Sequence, residues 1–424
     1  MTKICVYGLW HLGIVTTTGL LQKGYPVIGL DDIDVSDLNK GCIPFNEPYV
    51  VPTLKKGLEC KTLVFTNDYK EALGDADIVW VTFDTPLDEY GKPQSMFIWR
   101  SVMSIIPHVK NGVKIIISSQ VPIGFTDKLR EEISLRHPYK KMYIAYSPEN
   151  LQLGNAVERF MYPDRVIVGV DKEERCKFNE FFELIFDKVV WMTIPSAEMT
   201  KHAINAYLAL SICFANEIAQ ICDETGALSG EVALGLQSDK RIGWKAYVNP
   251  GDAYSGGTLA RDVDVLDEFI YNSKLSAPIL SVLASSNDAH NNWIRDHIVH
   301  LMGGTLNRLP VVVFGLSYKD GTNTLRRSGP IGLCKWLHEN GAIVYAHDPS
   351  IVTISEIPNY ITLLPDLSYI PKDCYCMIFL KDPLSMMSKN DLDKISDDKL
   401  IIDPNGYLQP KKNGRKYFSV KRLS

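Results

Sequence analysis

The chain has no two cysteines at C-x-x-C spacing, and its nine cysteines, scattered from Cys5 to Cys376, outline neither a disulfide framework nor a zinc site. Such usage suits a reducing compartment, and no metal is expected. No run approaches the ~18 consecutive apolar residues of a membrane span. The stretch from Met1 to Gly8 enters a strand pattern at once, leaving no room for a secretory leader. Massed basic charge is missing too. With 45 Lys and Arg against 50 Asp and Glu, formal charge −5, there is no electrostatic footprint for nucleic acid or an anionic membrane. The expectation is a cytoplasmic protein that holds any anionic ligand locally. Low-complexity segments, linkers and solenoid repeats are also absent. What is there is 46% apolar residues over 424 positions, enough at roughly 100–200 residues per domain for two or three globular domains.

From Lys3 to about Asp187, short β-rich runs alternate with helix-like stretches: ICVYG, YPVIGLD, TLVF, DIVWVTF, VKIIISS, MYIAYS, DRVIVGV and VVWMTI. That alternation predicts a mostly parallel sheet covered on both faces. At Pro195 the texture changes to apolar residues at helical spacing, which predicts one long helix starting at Ser196. Helical pattern, broken by the Gly-rich stretch from Gly251 to Gly257, runs to Gly303-Gly304. Then VVVFGL, AIVYAHD, CYCMIFL and KLIID form a second α/β alternation. The expected architecture is α/β: two Rossmann-like parallel-sheet domains, 1–195 and 305–424, joined by a central helical domain, 196–304, with a long connecting helix. By analogy that helix carries a dimer interface.

The first strand runs into Gly8-Leu9-Trp10-His11-Leu12-Gly13, followed by a helical pattern, a second strand, and Asp31 about twenty residues on. A dinucleotide site requires this order. Gly8 lets the chain turn and Gly13 lets helix meet strand, while the helix N-terminus offers amides to a pyrophosphate. Asp31 at the second strand's end suits ribose hydroxyls and hence NAD. The middle glycine of the usual pattern is replaced by Trp10, whose side chain stands where a pyrophosphate would pass. An ordinary strand-to-helix turn shares the loop's pattern; a phosphate loop does not, since Gly-Lys-Ser/Thr is missing.

Further residues carry a resemblance. Leu38-Asn39-Lys40-Gly41, Pro44-Phe45-Asn46-Glu47-Pro48, Thr85-Pro86, Ser119-Gln120-Val121-Pro122-Ile123-Gly124, Ser147-Pro148-Glu149-Asn150-Leu151, Pro163-Asp164-Arg165, Lys201 to Asn205, Arg241-Ile242-Gly243, Gly315-Leu316-Ser317-Tyr318-Lys319 and Asp403 follow one another in the order of the UDP-glucose/GDP-mannose dehydrogenase family, which the chain resembles over nearly its whole length. The resemblance implies NAD-dependent oxidation of a nucleotide-sugar alcohol, through an aldehyde, to a carboxylate. It implies that Lys201 and Asn205, four apart on one helix face, steady the developing oxyanion. Asp262 would remove the hydroxyl proton through a water, and Glu149 would serve later proton transfers. Gly8, Trp10, Leu12, Gly13, Asp31, Thr85, Pro86, Ser119, Gln120 and Arg326 would line the cofactor. Glu149, Asn150, Leu151, Asn249, Tyr254, Gly256 and Lys319 would join Lys201 and Asn205 around the substrate, and Arg241 would reach it across a homodimer.

The sequence also departs from the family. Anchored on Tyr254 and Asp262, the pattern G-G-x-C-x-P-K-D places Thr258 where the nucleophilic cysteine belongs. A threonine hydroxyl without a dedicated base is a far weaker nucleophile than a thiolate. Gln120 replaces a threonine, Leu153 and Arg327 replace glutamates, and Asn405 replaces an arginine directed at the nucleotide. The groups for proton removal and oxyanion support remain. The expected activity is therefore a nucleotide-sugar dehydrogenase that stops at the aldehyde or ketone. The alternatives are full four-electron oxidation, a redox-neutral epimerase, or a sugar-nucleotide-binding protein without turnover.

Overall fold

The computed structural model describes residues 2–45, 47–88, 93–149, 151, 154–256, 258–317, 325, 328–351, 357–393, 395, 399–408 and 416–422. The chain divides into two compact units, Met1–Ala203 and Ile204–Ser424.

The first unit is built on strands β1 (Ile4–Tyr7), β2 (Val27–Leu30), β3 (Leu63–Thr66), β4 (Ile78–Val81), β5 (Val113–Ile117), β6 (Met142–Tyr146), β7 (Val166–Gly169) and β8 (Val189–Met192). They line up as β3-β2-β1-β4-β5-β6-β7-β8. All neighbours are parallel except β6 and β7, which meet antiparallel at Tyr146 and Gly169. Helices α1 (His11–Gln22), α2 (Val50–Glu59), α3 (Tyr69–Leu73), α4 (Ser95–Ile105), α5 (Phe125–Arg136), α6 (Ala156–Met161) and α7 (Asn179–Ile185) supply the connections. Because side chains alternate along a strand, Ile4 and Val6 of β1 join Ile14, Leu54, Phe160 and Phe182 in one core layer. Cys5 and Tyr7 join Ile98, Val102, Leu129 and Ile133 in the other. Strand order reverses between β1 and β4, so the crevice beyond their C-terminal ends is where such a sheet takes a ligand.

Helix α8 (Ile194–Thr225) begins two residues before the expected Ser196. Pro195 lies within its first turn, where the missing amide has no intrahelical partner to lose. By length and composition α8 is the one helix among the described residues that would pass for a membrane span. It carries buried polar groups with protein partners, as a core helix does: Glu198 accepts from the Gly124 and Thr126 amides at the start of α5, at 2.6 and 2.9 Å.

The second unit holds α9 (Ser229–Ser238), α10 (Leu259–Asn272), α11 (Pro278–Ser281), α12 (Leu283–Leu301) and α13 (Gly329–Glu339). Its sheet consists of β9 (Pro310–Phe314), β10 (Ile343–His347), β11 (Ile361–Leu363), β12 (Cys376–Phe379), β13 (Leu400–Ile402) and β14 (Tyr417–Phe418), all parallel in the order β11-β10-β9-β12-β13-β14. Val311 and Val313 pack with Ile294, Ile298, Cys334 and Leu337 on one face. Val312 and Phe314 pack with Phe379 on the other. The architecture is the expected one, two parallel-sheet α/β domains with a helical domain between them in the chain.

Candidate active site

In the first unit, β1 delivers the chain to Gly8, whose φ of 102° suits glycine, and a Cβ there would meet Phe83 at 2.8 Å. A Cβ on Gly13 would lie 1.7 Å from the Gly8 carbonyl oxygen, so this glycine is what allows α1 to start so close to the strand. Thr82 ties the same carbonyl down through its hydroxyl at 2.8 Å, an anchor the sequence reading missed. Trp10 has φ −87°, ordinary for an L-residue, and its half-exposed indole stands edge-on to Phe45, 5.9 Å away. The loop therefore forms without the middle glycine. Leu12 is buried beneath it.

Asp31 follows β2 and is turned inward. Its Oδ2 accepts from the Leu9 amide at 2.5 Å and its Oδ1 from the Asp32 amide at 2.7 Å. Burial raises its pKa, and these backbone hydrogen bonds partly counter the shift. At the ends of β4 and β5, Thr85 donates to the Gln120 carbonyl oxygen at 2.5 Å, while Pro86 is exposed. The Ser119 hydroxyl is fully buried and has no hydrogen-bond partner among the described residues. An orphaned hydroxyl, a glycine cradle and a helix N-terminus at the sheet's switch point together fit a dinucleotide.

The same unit joins Lys201 to Glu149. The buried ammonium donates to the Glu149 carbonyl oxygen at 2.7 Å and lies 3.4 Å from its Oε1, while the Leu151 amide donates to Oε2 at 2.5 Å. Another carboxylate, Glu47, escaped the site prediction although its motif was recognised. It is buried and accepts from the Gly154 and Ala156 amides at 2.9 and 2.8 Å, and its Oε2 lies 3.1 Å from His11 Nε2 at the start of α1. Its signal in the sequence is only a glutamate between prolines.

In the second unit, Asn205 donates its side-chain amide to the fully buried Asp262 on α10. Thr258 sits at the N-cap of α10, one turn before Asp262. The preceding loop is clamped from several sides. Asn287 accepts from the Tyr254 amide and donates to its carbonyl oxygen, both at 2.9 Å, and Asn216 accepts from the Gly251 amide at 2.9 Å. His290 donates to the Gly251 carbonyl oxygen at 2.8 Å. Asn405 forms a two-point clasp with Asp252, at 3.0 Å to its amide and 2.7 Å to its carboxylate. Gly256 takes φ 86° in this loop, and Asn249 is exposed beside it. Arg241 is exposed and pairs with Asp239 at 2.7 Å. Asn150, Leu153, Lys319, Arg326 and Arg327 lie outside the described residues.

The loop from Gly251 to Thr258 contains no cysteine. Cys213 packs against Tyr254 and Val263, but it donates to the Leu283 carbonyl oxygen and burial pushes its pKa up. Burial likewise raises Cys334 to about 12 and Cys374 to about 11. In all three, burial disfavours the thiolate, the nucleophilic form.

Three family models match the chain in sequence order. The NAD binding domain of the UDP-glucose/GDP-mannose dehydrogenase family covers residues 2–190, its central domain residues 195–289, and its UDP binding domain residues 312–410. The UDP-glucose 6-dehydrogenase of Rickettsia bellii is 31% identical over 82% of this chain and 81% of its own. The UDP-glucose 6-dehydrogenase TuaD of Bacillus subtilis is 30% identical over 82% and 76%. In fold, the chain is similar to a UDP-glucose dehydrogenase from Pyrobaculum islandicum, with TM-score 0.87, 24% identity and coverage of 100% of this chain and 98% of that one. It is also similar to a UDP-D-ManNAc dehydrogenase from Pyrococcus horikoshii, with TM-score 0.86, 20% identity and 99% coverage of both chains.

Proposed function

The chain belongs to the UDP-glucose/GDP-mannose dehydrogenase family, and on that footing we propose that it oxidises an alcohol of a UDP-hexose with NAD and releases the aldehyde or ketone. The observation that carries the early stop is Thr258 at the N-cap of α10, with no activated thiol in the loop before it. The reaction balances as alcohol plus NAD⁺ giving carbonyl, NADH and one proton, and NAD when bound supplies the hydride acceptor. Asp262, through a water, takes the hydroxyl proton. Lys201 and Asn205, one helical turn apart on α8, donate to the alkoxide as charge develops on it. The hydrogen bonds to Glu149 and Asp262 fix those two donors before substrate arrives. Glu149, with no thioester to hydrolyse, retains the task of holding the Lys201 ammonium.

A second oxidation requires a thiolate to trap the aldehyde, and a threonine hydroxyl lacks the nucleophilicity. The relatives' names support a UDP-linked sugar, and Asn405 in place of an arginine leaves the sugar and the base to experiment. We keep 1–195, 196–304 and 305–424 as domain boundaries, with a cytoplasmic homodimer joined through the central helical domain.

The test is anaerobic incubation with NAD and a panel of UDP-, GDP- and CDP-hexoses, counting NADH per sugar consumed and weighing the product. One NADH with a carbonyl product is expected, and Thr258→Cys should raise the ratio toward two with an acid. An acid and two NADH from the unaltered chain would overturn the early stop. Isomerised sugar without net NADH would replace dehydrogenation by epimerisation.

A further inference from the structure

Near the start of α8, Glu198, Lys201 and His202 stand at i, i+3 and i+4, so they share one side of the helix. All three are buried. Lys201 meets Glu149 beyond β6 and has its place in the reaction. Glu198 and His202 have no part in that chemistry, yet both take hold of the segment beyond β5. Glu198 accepts from the Gly124 and Thr126 amides at 2.6 and 2.9 Å. Nε2 of His202 donates to the Val121 carbonyl oxygen at 3.1 Å, since a carbonyl oxygen only accepts.

Gly124, with φ 79°, is the N-cap of α5 and has no side chain to satisfy the first amides of that helix. A carboxylate is favoured at a helix N-terminus, so capping alone accounts for Glu198. It does not account for His202, whose bond lies outside the helix, three residues before its cap. Together the two pin residues 121–126, at both ends, to the stretch of α8 that carries Lys201.

A dinucleotide on a sheet of this order has its adenine ribose at β2 and its pyrophosphate at the glycine loop after β1, so its nicotinamide half extends over the ends of β4 and β5. The segments there are tied together. Thr85 after β4 donates to the Gln120 carbonyl oxygen at 2.5 Å, and Ser118 after β5 donates to that of Ser147, two residues before Glu149, at 2.5 Å. Between Ser118 and Gln120 lies the fully buried Ser119 hydroxyl, without a partner among the described residues and so left for a ligand.

We infer that Glu198 and His202 are positioning residues for hydride transfer: by fixing the loop after β5 to the same stretch of α8 as Lys201, they set the nicotinamide half of the cofactor against the alkoxide that Lys201 holds. A displacement of about 1 Å between reacting groups costs about a hundredfold in rate. The inference rests on NAD as hydride acceptor and on Lys201 as donor to the alkoxide, and is independent of where sugar oxidation stops.

The first readout needs no sugar. NADH is titrated into the full chain, giving a Kd and the fluorescence enhancement of the bound nucleotide, which reports how firmly its nicotinamide ring is held. Glu198→Gln turns an NH2 group toward one of the two amides, and His202→Leu removes the donor to Val121. In each, the Kd should stay within about threefold, because the other half of the nucleotide is held elsewhere, while the enhancement falls by about half. With the best sugar nucleotide of the panel, kcat should fall about tenfold or more and the sugar KM should hardly move. His202→Gln, whose amide still donates to Val121, should recover most of both. If Glu198→Gln does not fold, the two His202 variants decide. A lower melting temperature with the enhancement and kcat of the folded protein unchanged would reduce both residues to structural clasps and overturn the inference. A Kd weakened in step with kcat would overturn it too, by showing nucleotide binding rather than positioning. If the unaltered chain binds NADH but oxidises no sugar, the proposed reaction falls, and the hold on the nicotinamide half is still read from the enhancement. If NADH does not bind, the cofactor reading falls and this inference with it.

Discussion

Glu47 has a role that no local sequence rule announces. Its buried carboxylate satisfies two amides at the start of α6 and meets His11 at the start of α1, so it joins three segments far apart in the chain. Replacing it with alanine strands the buried Ala156 amide, worth about 1–3 kcal/mol, and frees the part-buried Gly154 amide to water. Urea denaturation of Glu47→Ala should show a loss in that range or above, and Glu47→Gln, which keeps an acceptor oxygen, a smaller one. Asp252 responds to pH with a definite sign. Burial pushes it up to about 7, with the Asp403 charge adding to the rise and the Asn405 hydrogen bond opposing it. The folded form therefore holds its proton where the unfolded chain, near 3.8, has released it. Its contribution to stability is present below about pH 4, falls as pH rises to about 7, and is level above. Asp252→Asn should flatten that part of a stability-against-pH curve measured by denaturation. An unchanged slope would show that the carboxylate ionises freely. Residues of this kind were the least legible in the sequence. Gly8, Gly13 and Lys201 sit in recognisable motifs, whereas the partners of Asp252, Thr82 and Asp32 come from segments 37 to 153 residues away in the chain.

Elements were far more legible, for a reason visible in the strands. All eight runs singled out from ICVYG to VVWMTI became β1 to β8; the central strands are almost wholly apolar because both faces are buried, whereas the edge strands β3 and β8, with Val64 and Val190 exposed, were legible from β-branched composition. The two strands that went unrecognised, β11 and β14, span three residues and two, too short to show a pattern. Helix α8 was expected from its periodicity, and its two sides differ in kind. Ala206, Ala209, Cys213, Ala215, Ala219 and Cys222 are buried, small side chains that permit close packing. Tyr207, Phe214 and Ile221, seven residues apart, stand exposed on the other side. Such a seam is the face through which the proposed dimer would form. Phe214→Asp would bury a charge with no partner there, so a dimer seen by sedimentation velocity at micromolar concentration should become a monomer with its helix content intact. A dimer that persists in this variant and in Tyr207→Asp would place the interface elsewhere.

At the scale of the whole chain, the two α/β ends repeat one device that the sequence does not display. In the first unit, Gly8 after β1 has positive φ and the Leu9 amide is held by Asp31 after β2. In the second, Gly315 after β9 has φ 88°, and the Leu316 and Ser317 amides are held at 2.7 and 2.9 Å by Asp348 after β10. The runs VVVFGL and AIVYAHD contain Gly315, Leu316 and Asp348, but without a second glycine the repeat emerges only when β9 and β10 pair. The two aspartates respond to their settings in opposite senses. Burial alone would raise Asp348, but hydrogen bonds from Ser350, Ser317 and Leu316 outweigh it and hold the carboxyl below the usual range, whereas Asp31 is raised. A carboxyl lowered on folding contributes stability that is present above its unfolded pKa and lost as pH falls through its folded one. Asp348→Asn should therefore cost about 1–3 kcal/mol at pH 7 and progressively less below pH 4, measured by urea denaturation at each pH. Because Asp348 clasps a loop of the second unit only, the same variant should bind NAD as the unaltered chain does, while Asp31→Asn should bind it more weakly. A drop in NAD affinity for Asp348→Asn, or a cost that does not shrink in acid, would mean that the likeness of the two loops misrepresents how the second one is held.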